Sequence, residues 1–168
     1  MVIRSELICL RRARDRDAAA LAGVFSESWR QAYTGIIPAM SLDVLVRRRD
    51  AAWWQRAVRT EAHLIVLQVE DRVVGYATCG PGRATPPRTG EIFELYLTPV
   101  YQGVGLGEHL FEACRHTLDG LHLPHMTVWA LAENTAACEF YRRRGGRVIG
   151  RSSERFGHVV LDKLAFGW

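Results

Sequence analysis

A strand pattern that runs into a glycine-rich turn and then into an amphipathic helix constrains this chain more than any other feature. The strand pattern ends at residues 94–99 (ELYLTP), the turn is residues 102–107 (QGVGLG), and the helix pattern covers residues 105–118. Glycines in such a turn leave backbone N–H groups uncovered at a helix N-terminus, where the free donors and the helix dipole both favour negative charge. The sequence therefore predicts a site for a phosphorylated cofactor.

Two common phosphate-binding motifs do not fit this turn. The spacing of Gly103, Gly105 and Gly107 differs from the G-x-G-x-x-G fingerprint of dinucleotide-binding folds, and the strand does not open a βαβ unit. A P-loop needs Lys and then Ser or Thr after its last glycine, whereas Glu108 and His109 follow here. With these two motifs excluded, the turn is described by the pattern Gln-x-x-Gly-x-Gly directly after a strand.

A second motif follows in the C-terminal half. Residues 127–131 (TVWAL) have a strand pattern, and Asn134 then opens a short helix that ends at the glycines of residues 145–146. Ala137, Phe140 and Tyr141 follow Asn134 as Asn-x-x-Ala-x-x-Phe-Tyr. The two stretches together resemble motifs A and B of the GNAT superfamily of N-acetyltransferases, in family order and at family spacing, over residues 89–150.

The resemblance implies a fold and an activity. The fold is the GNAT-like acyl-CoA N-acyltransferase fold of the α/β (α+β) class, a single mixed, mostly antiparallel sheet of about seven strands flanked by helices. The activity is transfer of an acetyl group from acetyl-CoA to a primary amine, directly, in a ternary complex. Acetyl-CoA is thus the expected co-substrate, and no metal is expected.

The resemblance also implies which residues hold acetyl-CoA. The strand backbone would pair with the pantetheine arm, and the turn N–H groups would wrap the pyrophosphate. The N–H of Leu95 or Leu97 would polarise the thioester carbonyl, and Asn134 would contact the cofactor while capping its helix. The implied cofactor-binding residues are Leu95, Tyr96, Leu97, Gln102, Gly103, Val104, Gly105, Leu106, Gly107, Asn134 and Tyr141.

Acetyl transfer to an amine also needs a proton donor for the leaving thiolate and a route for the proton of the ammonium. The resemblance assigns the donor role to Tyr141. Glu91 and Glu94 are the candidate bases, on opposite faces of their strand unless a bulge intervenes. The histone-acetyltransferase branch has its catalytic glutamate in the register of Glu91, which favours Glu91, whereas the base of the ribosomal-protein branch corresponds to Trp129. Removal of the ammonium proton by a relay of water molecules, with no single catalytic base, is a further alternative.

The acceptor site is expected in the first helices, where aromatic residues are dense. Trp29 and Tyr33 are the candidate acceptor-binding residues, with Trp53 and Trp54 nearby. Aromatic walls suit a cationic or apolar acceptor, although packing of helices on a sheet also requires large side chains. Residues 28–38 (SWRQAYTGIIP) are similar to a subset of bacterial members of the family whose acceptors vary, so the acceptor is left as a small-molecule or peptide amine.

Composition narrows the remaining possibilities. The 168 residues, 48% hydrophobic and 24% charged, predict one globular domain spanning residues 1–168. No apolar run of membrane-spanning length and no signal-like N-terminus occurs, and the four cysteines form no CxxC pair. We therefore expect a cytoplasmic protein, a monomer or homodimer, without a membrane or nucleic-acid partner. The net charge of +4 suits attraction of a polyanionic cofactor.

Periodicity predicts the elements around the two motifs. Helices are expected at residues 18–32, after a Ser41 cap and after an Asp50 cap, and residues 80–89 are expected to form a loop. The predicted strands are residues 7–12, 63–70, 72–79, 90–98, 125–131, 147–152 and 158–166.

Two other functions remain compatible with a glycine turn of this kind. One is a sensor domain of the same fold that binds acyl-CoA without turnover, which would need neither Tyr141 nor a strand glutamate. The other is a nucleotide-dependent transferase or oxidoreductase, which the missing P-loop lysine and the incomplete fingerprint disfavour.

Overall fold

A computed structural model describes residues 3–4, 7–83 and 89–168 of the chain. The helices are α1 (Ala18–Tyr33), α2 (Ala39–Arg48), α3 (Ala51–Thr60), α4 (Leu106–Gly120) and α5 (Thr135–Arg143). The strands are β1 (Ile3–Arg4), β2 (Ile8–Arg12), β3 (Leu64–Val69), β4 (Arg72–Pro81), β5 (Thr89–Leu97), β6 (His125–Leu131), β7 (Arg147–Phe156) and β8 (Val159–Gly167). The predicted loop at residues 80–89 falls partly on residues 84–88, outside the described residues, and β4 continues through Pro81.

All eight strands form one sheet in the order β1-β2-β3-β4-β5-β6-β8-β7. The central pair β5–β6 is parallel, and the other neighbouring pairs are antiparallel. The predicted mixed, mostly antiparallel sheet flanked by helices is therefore confirmed. The strand beyond the expected seven is β1, which is two residues long and too short to give a sequence pattern.

Helices cover both faces of the sheet. One core cluster packs α4 and α5 against the sheet, and it buries the apolar stripe of the amphipathic α4, which consists of Leu106, Leu110, Cys114 and Leu118. A second cluster packs α1, α2 and α3 against the opposite face around Phe25, Trp54 and Tyr76. Among the helices of the described residues, none is both long and apolar enough to cross a bilayer.

The helix starts test the predicted caps. The Asp50 side chain accepts a hydrogen bond from the Trp53 N–H at 2.8 Å, and Asn134 accepts from the Ala137 N–H at 3.2 Å, so both predicted caps are confirmed. The Ser41 cap is wrong, because α2 begins at Ala39 and its first backbone bond runs from the Leu42 N–H to the carbonyl of Pro38, 2.9 Å. Proline supplies a fixed φ at this helix start, so no side-chain cap is needed.

A bulge in β5 separates the sheet into two halves. On β4, Thr78 is opposite Glu94 and Cys79 is opposite Ile92, so Phe93 is the extra residue of β5. The pairing of β5 with β6 runs only from Thr89–His125 to Ile92–Val128. Beyond that point the two strands diverge, as a bulge that bends its strand predicts. The divergence opens a slot at the centre of the sheet.

Candidate active site

The glycine turn leaves a row of backbone donors at the N-terminus of α4. Gly105 is the N-cap in the left-handed conformation, with φ +85°, which glycine adopts without strain. From Gly103 to Gly107, no N–H group has an acceptor among the described residues. The N–H of Gln102 differs, because it donates to the carbonyl of Pro99 at 3.1 Å. The row of free donors therefore begins at Gly103, one residue later than predicted.

Close packing of α4 on α5 shapes the floor of this row. A Cβ at Gly107 would lie 2.9 Å from the ring of Phe140, closer than atoms tolerate. Arg144 stacks over the same ring, its guanidinium carbon 3.5 Å from the ring centre, and forms an ion pair with Glu108. Motifs A and B are thus in direct contact.

The open edge of β5 presents its backbone to the slot. The Thr98 N–H donates to the Val74 carbonyl at 2.8 Å, so this residue points to β4. Hydrogen bonding alternates along an antiparallel pair, so the backbone groups of Leu97 and Leu95 point the other way, into the slot. The Gln102 side-chain amide donates to the Leu97 carbonyl at 3.0 Å and ties the turn to the strand. The N–H groups of Leu95 and Leu97 remain available to a ligand.

One cavity of about 630 Å³ joins the slot, the turn and α5. Of the predicted cofactor-binding residues, those that line it are Leu95, Tyr96, Leu97, Gln102, Gly103, Gly105, Gly107, Asn134 and Tyr141. Val104 and Leu106 do not line it, because the side chain of Val104 is 70% exposed to solvent and that of Leu106 is buried in the core. Only their backbone groups belong to the row of donors.

Tyr141 lies in the wall of this cavity. It projects from α5 into the aromatic cluster of Phe111, Phe140 and Trp168. Its hydroxyl has no hydrogen-bond partner among the residues that the structure describes. Burial raises the pKa of the Tyr141 hydroxyl well above its ordinary value, so the group keeps its proton at neutral pH.

Beside the cavity two tyrosine hydroxyls meet, that of Tyr96, which lines the cavity, and that of Tyr33, which is not among the described lining residues. Tyr33 from α1 and Tyr96 from β5 are joined by a hydrogen bond of 2.7 Å between their oxygens. Trp29 packs on both rings, with centroids 4.9 Å and 5.8 Å away. Burial raises the pKa of the Tyr33 hydroxyl, while the side chains of Tyr96 and Asn134 act in the opposite direction. The predicted pair Trp29 and Tyr33 therefore lies beside the cavity, together with an unpredicted partner, the Tyr96 side chain.

The other two tryptophans of the dense aromatic region lie elsewhere. Trp54 is 1% exposed and packs in the core against Phe25 and Tyr76. Trp53 stacks on the guanidinium of Arg49, 4.6 Å from its ring centre.

The bulge places Glu91 and Glu94 on the same face of β5. Their partners on β4 are Gly80 and Thr78, two residues apart, and residues two apart share a face. Neither glutamate is among the described residues that line the cavity. Glu94 forms an ion pair with Arg49 and accepts from the Tyr76 hydroxyl at 2.7 Å, whereas Glu91 accepts one bond from the Arg83 N–H at 3.2 Å. Glu91 is therefore the freer carboxylate.

Comparison with known proteins identifies the family. The acetyltransferase (GNAT) family matches residues 24–146, which include both motifs and the lining of the cavity. The chain belongs to this family. It is an N-acetyltransferase, in agreement with the curated relatives that it matches.

The relatives and solved structures that resemble the chain are distant. The uncharacterized N-acetyltransferase YuaI of Bacillus subtilis is 25% identical over 164 residues, 96% of this chain and 93% of the relative. A mycothiol acetyltransferase of an Arthrobacter species is 30% identical over 108 residues, 63% of this chain and 32% of that protein. The PaiA N-acetyltransferase of Thermoplasma acidophilum, crystallised with coenzyme A, aligns with a TM-score of 0.75 at 17% identity, over 93% of this chain and 97% of that one.

A second solved structure is the yncA acetyltransferase of Salmonella typhimurium, crystallised with acetyl-CoA. It aligns with a TM-score of 0.69 at 20% identity, over 96% of this chain and 92% of that one. At this identity the two structures support the family fold.

Several cavity residues were not predicted. Ser28, Gln31, Ala32 and Ile36 line the cavity from α1 and the loop after it, and Glu133, Thr135, Ala136, Arg143 and Arg144 line it from α5 and its flanking residues. The arginines belong to the run of residues 142–144, for which the sequence favours a solvated helix face over attraction of anions. The four residues from α1 and the loop after it share only their position beside Trp29 and Tyr33, and this was the one signal available for them.

Proposed function

We propose that this N-acetyltransferase uses acetyl-CoA and transfers the acetyl group directly to a primary amine of a small molecule or peptide in a ternary complex. The cavity lined by the glycine turn, β5 and α5 carries this proposal. Among the described residues, it combines N–H groups without an acceptor at a helix N-terminus, the part of the β5 edge that β6 does not pair, and a tyrosine hydroxyl without a hydrogen-bond partner. These are the groups that a pyrophosphate, a pantetheine amide chain and a leaving thiolate each require.

Acetyl-CoA fits the residues that are present. The donors from Gly103 to Gly107 suit the pyrophosphate, because they are unsatisfied within the described chain and lie at the positive end of α4. The edges of Leu95 and Leu97 suit the amides of the pantetheine arm, in the manner of an added strand. When bound, acetyl-CoA supplies the activated acyl group as a thioester. The bound cofactors of PaiA and yncA support the same use of the fold.

Backbone N–H groups and side chains have different roles in the proposed reaction. The N–H of Leu95 or Leu97 faces the slot and can donate to a carbonyl oxygen that gains negative charge. The Tyr141 hydroxyl, which holds its proton at neutral pH, donates to the leaving sulfur. Asn134 caps α5 and fixes the orientation of the helix that carries Tyr141.

The acceptor must lose a proton before it can attack, since an ordinary primary ammonium has a pKa of about 10.4. We assign this role to Glu91, acting through water, because both carboxylate oxygens of Glu94 are already bound by Arg49 and Tyr76. Tyr96 lines the cavity, and Trp29 and Tyr33 pack directly against its ring, so we assign these three side chains to the surface that holds the amine. Aromatic rings and hydroxyl oxygens both favour an amine or ammonium group.

Binding and turnover test this function separately. Calorimetry with CoA, acetyl-CoA, ATP and NAD measures the cofactor, and release of free thiol across a panel of amines measures transfer. Binding of CoA and acetyl-CoA alone, with thiol release on at least one amine, supports the proposal. Binding without turnover on any amine would indicate the acyl-CoA sensor, and absence of CoA binding would contradict the assignment of the glycine turn.

A further inference from the structure

The chain contains a single lysine. Of its 22 Lys and Arg residues, Lys163 alone is lysine. Arginine keeps its proton at every pH of interest, whereas the lysine amine becomes a nucleophile once it loses one. The other Lys and Arg positions of this chain are all arginine, which serves ion pairs at least as well. Lys163 is therefore the one side-chain primary amine, the group that forms a stable amide with an acyl group.

Lys163 lies on the face of the sheet that carries the acceptor end of the cavity. On β8 it is opposite Leu131 of β6 and Ser152 of β7. Leu131 shares this face and packs in the same core cluster as Tyr33. The Lys163 side chain is 27% exposed, with its Nζ 5.2 Å from the centre of the Trp129 ring.

One backbone hydrogen bond links this position to the cavity, and the charge of a neighbouring glutamate links it to Tyr33. The Leu131 carbonyl accepts a hydrogen bond of 3.0 Å from the N–H of Asn134, which lines the cavity. Because Lys163 pairs with Leu131, it lies beside the C-terminal end of β6, next to the cavity. Glu154, whose carboxylate is 3.6 Å from the Lys163 Nζ, also acts on Tyr33, because its charge is one of the factors that raise the pKa of the Tyr33 hydroxyl. Lys163 is not itself among the described residues that line the cavity, and its amine is held beside Glu154, next to the strand end that borders the cavity.

We propose that Lys163 is a self-acetylation site, modified by the acetyl-CoA bound to its own chain. This inference rests on the proposed function. The Lys163 ammonium gives one proton to Glu154 and through it to solvent, and the free amine attacks the thioester carbon. The C–N bond forms as the C–S bond breaks, and the electron pair leaves with sulfur, which takes the second amine proton. The products are an uncharged acetyl-lysine and free CoA.

The experiment uses the full chain, shown by intact mass to be unacetylated at the start, and incubates it with acetyl-CoA. We expect one acetyl group per chain on Lys163 by peptide mapping and none on that residue in Lys163→Arg. The rate should saturate with acetyl-CoA at its calorimetric dissociation constant, and excess CoA should block it. Diluting the protein about tenfold should leave the first-order rate constant unchanged, because the reaction is intramolecular.

Each other outcome contradicts the inference. A rate that rises linearly with acetyl-CoA and ignores excess CoA means chemical acetylation from solution. A rate constant that falls on dilution means transfer between chains. If acetyl-CoA binds and an amine is acetylated while Lys163 stays unmodified, self-acetylation is excluded and the proposed function stands. If acetyl-CoA does not bind, both are excluded.

Discussion

The two ends of the cavity differ in the distances along the chain over which their residues are gathered. The end that we assign to the cofactor is built mainly from residues 95–107 and 133–144, two short stretches that offer backbone N–H groups to a ligand in the proposed function. The acceptor end joins α1 to β5, and its central contact, between Tyr33 and Tyr96, spans 63 residues and uses side chains alone. One end is therefore set by local backbone geometry and the other by tertiary packing.

This difference predicts how each end responds to change. Among substitutions only proline removes a backbone N–H donor, so the cofactor end is otherwise disrupted through glycine conformation or added charge. Side chains at the acceptor end can be exchanged one at a time. Substitutions at the first end should change the affinity for CoA, and substitutions at the second should change the KM for the amine.

The largest effect is expected from Gly105→Glu. The substitution forces a side chain into φ +85° and places a carboxylate beside the pyrophosphate site. Strain and like-charge repulsion together should weaken CoA binding by about 100-fold or more. Calorimetry measures this loss.

Two matched variants separate the contributions. Gly105→Ala keeps the strain without the charge and should weaken CoA binding by about tenfold or less. Gly120→Glu adds the same charge at the C-terminal end of α4, where a Cβ meets no neighbouring atom, and should leave CoA affinity unchanged. Equal CoA affinity in Gly105→Glu and the wild type would remove the turn from the cofactor site.

Tyr141→Phe should have the next largest effect, on turnover rather than binding. Loss of the proton donor should lower kcat by about 100-fold with CoA affinity retained. Tyr101→Phe, a half-buried tyrosine packed on the same core, is the matched control and should behave as wild type. Turnover near wild type in Tyr141→Phe would leave solvent as the donor.

The pH profile gives an independent check on Tyr141. A proton donor is lost as pH rises through its pKa, and burial raises the pKa of Tyr141 above the ordinary value of about 10. The wild type should therefore lose no kcat at alkaline pH up to that ordinary value. A decline in kcat that Tyr141→Phe abolishes would show that the cavity does not raise this pKa when the cofactor is bound.

Sequence reasoning succeeded where the determining interactions are local. β6 occupies the predicted residues 125–131, and the caps at Asp50 and Asn134 each depend on a neighbour three residues away. It failed at Ser41, because the helix begins two residues earlier, directly after Pro38. It also failed at β7, which runs to Phe156 because β8 pairs with it along that length.

The same limit applies within the site. The glycine turn and Tyr141 each occur at a fixed spacing within a sequence motif, so both could be predicted as site residues from the sequence alone. The Tyr33–Tyr96 contact depends on how α1 lies across β5, and the shared face of Glu91 and Glu94 depends on the bulge at Phe93. No local pattern encodes either relation, since both arise from the packing of elements far apart in the chain.

Glu91→Gln tests the link between the two ends. If Glu91 takes the amine proton through water, the variant should lose about tenfold in kcat near neutral pH, and the rise of activity with pH should flatten. Glu94→Gln is the contrasting variant. It weakens the pairing with Arg49 and Tyr76, so it should lower the free energy of unfolding by about 1 to 3 kcal/mol. An unchanged pH profile in Glu91→Gln would remove Glu91 as the base.

The smallest effects are expected at the acceptor end. They test most directly whether the two ends of the cavity bind different ligands. Tyr33→Phe and Tyr96→Phe each remove one hydroxyl of the shared hydrogen bond, so each should raise the KM for the amine by about fivefold, with CoA affinity unchanged. The two hydroxyls act through one bond, so the double variant should cost little more than either single variant. Steady-state kinetics on an amine found in the panel measures all three. If either change weakened CoA binding as strongly as it raised the KM for the amine, the two ends would not be separable, because one side chain would serve both ligands.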